Sequence, residues 1–158
     1  MKKKRGKKLM IFLYIFLALV ILMIGQMIFT NMRTPKNLGV HDGLLAQVPK
    51  SPNAVSSQSD NPDYHVEPFP FKEDLESTKL AVINAIESYG NADIIVNEPN
   101  YIHAVFTTSK MSFHDDVEFY FNEAGSIVAY RTASWVGYSD MGLNRARYTS
   151  LFEYYTNH

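Results

Sequence analysis

Apolar and polar positions divide the chain into two very different parts. From Leu9 to Phe29 it reads LMIFLYIFLALVILMIGQMIF without a formal charge, and a helix needs roughly 20 such residues to cross the hydrocarbon core of a bilayer. Tyr14, Gly25 and Gln26 are its only polar or small interruptions. A cleaved signal peptide has an apolar region of about 7–15 residues ending at a small-x-small site. This run is longer, and Met27-Ile28-Phe29-Thr30-Asn31-Met32 offers no such site. A lipoprotein signal would need a cysteine, which the sequence lacks. No second segment of similar apolarity exists to bury the run as a core helix. The pattern predicts a transmembrane helix over 9–29, preceded by a basic tail over 1–8.

Beyond the run the periodicity changes. Pro35, Pro49, Pro52, Pro62, Pro68 and Pro70 punctuate residues 30–72, which disfavours regular packed elements. Leu38, Val40, Leu44, Leu45 and Val48 are too apolar for a solvated tether, however. Residues 30–37 are therefore expected to be the tether, and 38–72 to wrap the domain as extended chain. A helix is predicted next, with Glu73, Asp74 and Glu76 favourable against its N-terminal dipole. Leu75, Val82, Ile86 and Tyr89 recur at helical spacing before Gly90. Strand-like runs follow at Ala92–Glu98, Tyr101–Thr108, Phe113–Phe121 and Ile127–Ser134. Asn122-Glu123-Ala124-Gly125 is expected to form a type I turn closing on glycine. Residues 141–156 read as a last helix with Tyr148, Leu151, Phe152 and Tyr155 on one face and Asp140 as its cap. The fold class is α+β: a transmembrane helix, then an antiparallel sheet of about four strands with helices on one face. Residues 38–158 form the extracytoplasmic domain.

Charge adds direction. Residues 1–36 carry eight basic side chains and no acid, whereas the remainder carries seven against all sixteen acids, a net of −9. Six of the basic residues precede the apolar run, so the amino end is expected in the cytoplasm and the domain outside, at the cell membrane. The basic cluster also suits anionic lipid headgroups. An outer segment this acidic is repelled by phosphate backbones, which argues against a nucleic-acid partner. The absence of cysteine removes disulfides, thiol catalysis and cysteine–zinc sites together.

Candidate chemistry is sparse. Asp115-Asp116-Val117-Glu118 is the densest acid group. On a strand Asp116 and Glu118 share a face, with Cβ atoms about 7 Å apart. They could hold Ca²⁺ or Mg²⁺ or act as acid and base, with His103 on a neighbouring strand. The simpler reading is a solvated strand face carrying a cross-strand salt bridge. A four-residue loop would set Asp116 opposite Arg131, whereas a glycine-bulge turn would place Thr132 there and move Arg131 to the other face. His41, His65 and His114 lack the HxH or HxxxH spacing of a zinc site. Gly137-Tyr138-Ser139-Asp140-Met141-Gly142 has the spacing GxSxxG rather than the GxSxG of a nucleophile elbow. Arg145 and Arg147 oppose the dipole of the last helix and call for a compensating anion, either Asp116 or Glu118 or a bound ligand.

Read together, these short motifs resemble an uncharacterised bacterial and plastid family designated domain of unknown function 1499. The resemblance rests on Leu38-Gly39-Val40-x-Asp42-Gly43-x-Leu45, Ser51-Pro52-Asn53-x-Val55-Ser56-Ser57-Gln58, Tyr101-Ile102-His103-Ala104 and Phe113-x-Asp115-Asp116-Val117-Glu118-Phe119. It continues through Gly125-x-Ile127, Arg131-Thr132-Ala133-Ser134 and Gly137-x-Ser139-Asp140-x-Gly142-x-Asn144-Arg145-x-Arg147, covering 38–152. The chain departs from the family at Ala54, where cysteine is usual, and at Trp135, where arginine is common. Family members are similar to exported, membrane-attached or lumenal proteins and have no established activity. The matching polar positions Ser56, Ser57, His103, Asp116, Glu118, Arg131, Ser134, Asp140, Asn144 and Arg145 imply either a ligand pocket or a structural network. No catalytic set, metal site or cofactor is assigned. The expected function is a non-enzymatic binding or scaffolding module at the cell envelope. Its partners are the bilayer through residues 9–29 and an envelope protein or small anionic ligand, with Arg131, Arg145 and Arg147 converging on the anion. The alternative is a hydrolase using the strand carboxylates and His103.

Overall fold

The computed structural model describes residues 2–157. It divides at Thr34/Pro35 into two compact units. The first is dominated by helix α1, Lys2–Asn31. Within residues 6–31 of α1 an 18-residue window reaches a mean hydropathy of 2.7, and the apolar side chains of the helix are exposed. By length and composition this helix can cross a membrane or act as a signal anchor. It extends past the predicted 9–29 at both ends; at the amino end the flanking lysines are themselves good helix formers.

The second unit is α+β, with the order β1 (Ala54–Ser56), β2 (Phe69–Pro70), α2 (Leu75–Tyr89), β3 (Ala92–Glu98), β4 (Tyr101–Thr107), β5 (His114–Asn122), β6 (Ile127–Ser134) and α3 (Leu143–Asn157). The sheet is antiparallel in order β1-β6-β5-β4-β3, with β2 also on β6. It has six strands rather than about four. The two extra strands come from the proline-rich segment. β1 pairs with residues 131–133 of β6 and β2 with 127–128, end to end along one edge. Ser57 bridges the gap between them. Its N–H donates to the Tyr130 carbonyl at 2.8 Å, and its Oγ accepts from the Tyr130 N–H at 2.8 Å.

α2 starts at Leu75, later than predicted, with Asp74 as its cap rather than in its first turn. The Asp74 carboxylate accepts from the Ser77 N–H at 2.7 Å, and Ser77 Oγ accepts from the Asp74 N–H at 3.2 Å. The Ser77 hydroxyl and N–H hold the Asp74 carboxyl below its ordinary value. Gly90 ends the helix at φ 78°, a conformation that favours glycine.

α2 and α3 cover one face of the sheet. Val82, Ile86, Ile102, Phe106, Val117, Phe119, Val128, Leu151 and Tyr155 form the core between them. The opposite face is not solvated: residues 38–48 lie over it, with Leu45 packed on Tyr101 and Ala129. β3 serves both faces. A bulge between Ile94 and Val96 turns Ile94 toward the helices and Val96 toward the strap.

Tyr155 provides one test of this packing. Burial pushes its phenol up to about 12 from 10.0, and its hydroxyl donates to the Pro70 carbonyl at 2.5 Å. A group that stays protonated longer in the folded state contributes stability that is complete below its unfolded value and lost as pH rises. Urea midpoints should therefore fall between pH 10 and 12, and Tyr155→Phe should blunt that fall. An identical pH profile in the variant would contradict the assignment.

Candidate functional site

Strand alternation sorts the polar residues into two groups on opposite faces. On the strap side a single cross-strand row runs Ser56, Arg131, Glu118, His103, each the direct partner of the next. Asp116 lies diagonally behind His103, and its Oδ1 accepts from Nε2 at 2.7 Å. Glu118 is fully buried and accepts three hydrogen bonds. Oε2 takes Arg131 Nη1 at 2.6 Å, while Oε1 takes the Tyr101 hydroxyl at 2.7 Å and the Gly39 N–H at 2.8 Å. Burial, and then the Glu118 carboxylate, hold the Tyr101 phenol well above its ordinary range. Arg131 Nε has no hydrogen-bond partner among the described residues. Ser56 Oγ accepts from the Gln58 N–H at 3.1 Å.

The expectation of a solvated carboxylate face is corrected. Asp116 is 1% and Glu118 0% exposed, because the strap covers them. The register is corrected as well. Asn122 pairs with Ile127, so the loop is residues 123–126, one residue later than expected. The left-handed position falls on Ser126 (φ 50°) instead of Gly125. Moving a turn by one residue shifts every cross-strand partner by two and keeps each side chain on its face. Arg131 therefore meets Glu118, and Asp116 lies opposite Ala133.

On the helix side Asn144 is the hub. Its Oδ1 accepts from Thr132 Oγ1 at 2.6 Å and Arg147 Nη1 at 2.5 Å. Its Nδ2 donates to the Asn53 carbonyl at 2.9 Å and to Ser134 Oγ at 3.0 Å. Its backbone N–H donates to Asp140 Oδ2 at 2.7 Å, so Asp140 caps α3. Arg147 Nη2 donates to Asp115 Oδ2 at 2.6 Å, and its guanidinium lies 4.9 Å from the Phe106 ring centroid. The anion that compensates the first turn of α3 is thus Asp115, not Asp116 or Glu118. Arg145 reaches outward and donates to the carbonyls of Asp63 (2.7 Å) and His65 (3.0 Å). The three arginines do not converge: Arg131, Arg145 and Arg147 serve three separate places.

Asp115 and Tyr101 were not singled out from the sequence as site members, whereas Arg147 was, with a different partner. Each carried a signal. Tyr101 and His103 are two apart on one strand, as are Asp115 and Val117, which puts Asp115 on the core face. A residue matching a polar motif but aimed into an apolar core calls for a buried partner.

An open cleft of about 560 Å³ lies beside the strap-side row. Its walls include Asp42, Val96, Glu98, Tyr101, His103 and Tyr120. Its roof is the hairpin turn His41–Leu44, with both central residues at positive φ, Asp42 (51°) and Gly43 (79°). This is the Asp-Gly pairing that a type I′ turn favours. No group of three or more His, Asp or Glu side chains among the described residues is arranged to hold a metal ion.

Residues 44–154 match the family described as protein of unknown function (DUF1499). The chain belongs to the DUF1499 family. No curated protein and no solved structure matches it. The DUF1499 match spans β1 into α3, both polar groups and residues 44–48 of the strap. At Ala54 the DUF1499 domain of this chain places a small buried residue opposite Ala133. The Trp135 ring packs against His114 at a tilt of 56°, with ring centroids 4.9 Å apart.

Proposed function

We propose that this protein is a membrane-anchored binding module whose outer domain, residues 38–158, holds a small ligand or an envelope partner without turning it over. The length and apolarity of α1 and the basic cluster ahead of it support a retained anchor with the amino end in the cytoplasm. One observation carries the binding reading. The buried carboxylates are engaged by internal partners, whereas an open cleft with a histidine and two tyrosines in its walls stands beside them. Carboxylates tied down in this way position a surface; they are poorly placed to exchange protons with a substrate. The test uses the full chain in lipid nanodiscs and a broad set of small molecules and envelope extracts. A ligand of the folded state raises the melting temperature, and a partner is retained in pull-downs. Neither response would remove the reading, and a reporter after His158 active only in the cytoplasm would remove the topology.

A hydrolase is the second reading, favoured by the 2.7 Å contact of His103 and Asp116. A carboxylate that orients an imidazole is the supporting half of a catalytic dyad. Turnover that vanished in both His103→Ala and Asp116→Ala, with folding retained, would favour it over the binding module.

A further inference from the structure

We infer that the cleft beneath residues 38–43 takes a small organic cation bearing N–H donors, a primary ammonium group, with His103 as its acceptor and Asp42 and Glu98 as negative charge in the walls. The inference rests on the binding reading above and names the chemistry of the ligand.

The first observation is His103. The residue is 3% exposed, and Nε2 is engaged by Asp116. Nδ1 has no partner among the described residues, and His103 lines the cleft. When Nε2 donates to a carboxylate, Nδ1 of the neutral ring presents a lone pair. An acceptor that no side chain engages is open to a donor from whatever fills the cleft.

The second observation is the sign of the walls. Asp42 and Glu98 belong to the cleft walls, and among the described residues no lysine or arginine lines the cleft. Below the wall, Arg131 is engaged by Glu118, and Asp116 is engaged by the His103 ring. Lys79 donates to the Glu98 carbonyl and lies over the Phe121 ring, whose side chain packs among the helices. An anion entering here would meet carboxylates and a lone pair; an ammonium group finds each of them complementary. The third observation is aromatic. Tyr101 and Tyr120 stand in the same wall, and aromatic faces attract organic cations. The Tyr101 ring is fixed by its hydroxyl contact to Glu118. The type I′ turn fixes the Asp42 backbone over the cleft.

The experiment uses the full chain in lipid nanodiscs, with the His103 ring resonances assigned by their loss in His103→Gln. Three probes of equal length are compared: 1,4-diaminobutane, 1,4-butanediol and succinate. We expect 1,4-diaminobutane alone to shift the His103 resonances saturably. The Asp42→Asn/Glu98→Gln double variant, changed only at exposed positions, should weaken that binding at least tenfold with an unchanged melting temperature. Equal or larger shifts with the diol or succinate would overturn the cation and leave a binding cleft. No His103 response to any probe would overturn this ligand assignment, while thermal-shift hits elsewhere would keep the binding reading alive. Binding unaffected by the double variant would also overturn it.

Discussion

Glu118→Ala should remove about 3–5 kcal/mol of folding stability, the range for breaking a buried ion pair by deleting one partner. Glu118 is fully buried and satisfies Arg131, the Tyr101 hydroxyl and the Gly39 N–H at once. Its loss leaves a guanidinium inside the domain whose Nε already lacks a partner. It also releases the strap at Gly39. A domain is stable by about 5–15 kcal/mol in total, so the variant should sit near its unfolding limit. Urea denaturation of the full chain in detergent, followed by Trp135 fluorescence, measures the loss. The double variant Glu118→Leu/Arg131→Met should recover much of it, because an apolar pair of similar volume removes the stranded charge. A loss below about 1 kcal/mol for the single variant would show that water reaches the pair and that the row is not buried in solution.

Phe69→Ala is expected to cost a similar amount, about 3–5 kcal/mol. Phe69 is 0% exposed and touches five aromatic rings, with centroid distances of 5.1 Å to Phe152, 5.2 Å to Tyr155, 5.6 Å to Phe119 and Tyr130, and 5.7 Å to Tyr148. Its removal opens a void among side chains from β5, β6 and α3, and it loosens β2 from the sheet edge. Phe69→Leu should cost clearly less, since it refills part of the volume. Equal losses for the two would mean that aromatic geometry, not volume, governs the site.

The polar positions were partly legible beforehand. Ser56, His103, Glu118 and Arg131 were grouped from their motif positions, and the structure places them in one cross-strand row. Ser134, Asp140 and Asn144 belong to a separate network around α3, on the other face. Arg145 and Ser57 secure the proline-rich segment through backbone groups. Which residues were polar and shared was readable from the chain; which of them met was not. That outcome depended on a loop displaced by one residue, with Ser126 instead of Gly125 at the left-handed position.

The sequence by itself determined the features whose causes are local. The apolar helix follows from an uncharged run, α2 from its spacing and the Asp74 cap, and the starts of β3, β4 and β6 from strand-like runs bounded by turn residues. Each depends on neighbours within a turn or two of chain. The tertiary structure decided the rest. It set residues 54–56 and 69–70 on the edge of β6 and folded residues 38–48 over the carboxylate face. It also paired Glu118 with Arg131 and Asp115 with Arg147, and left the cleft beside His103. These are contacts between residues distant in sequence. Their register is fixed by shape and burial across the whole domain, and no local period encodes it.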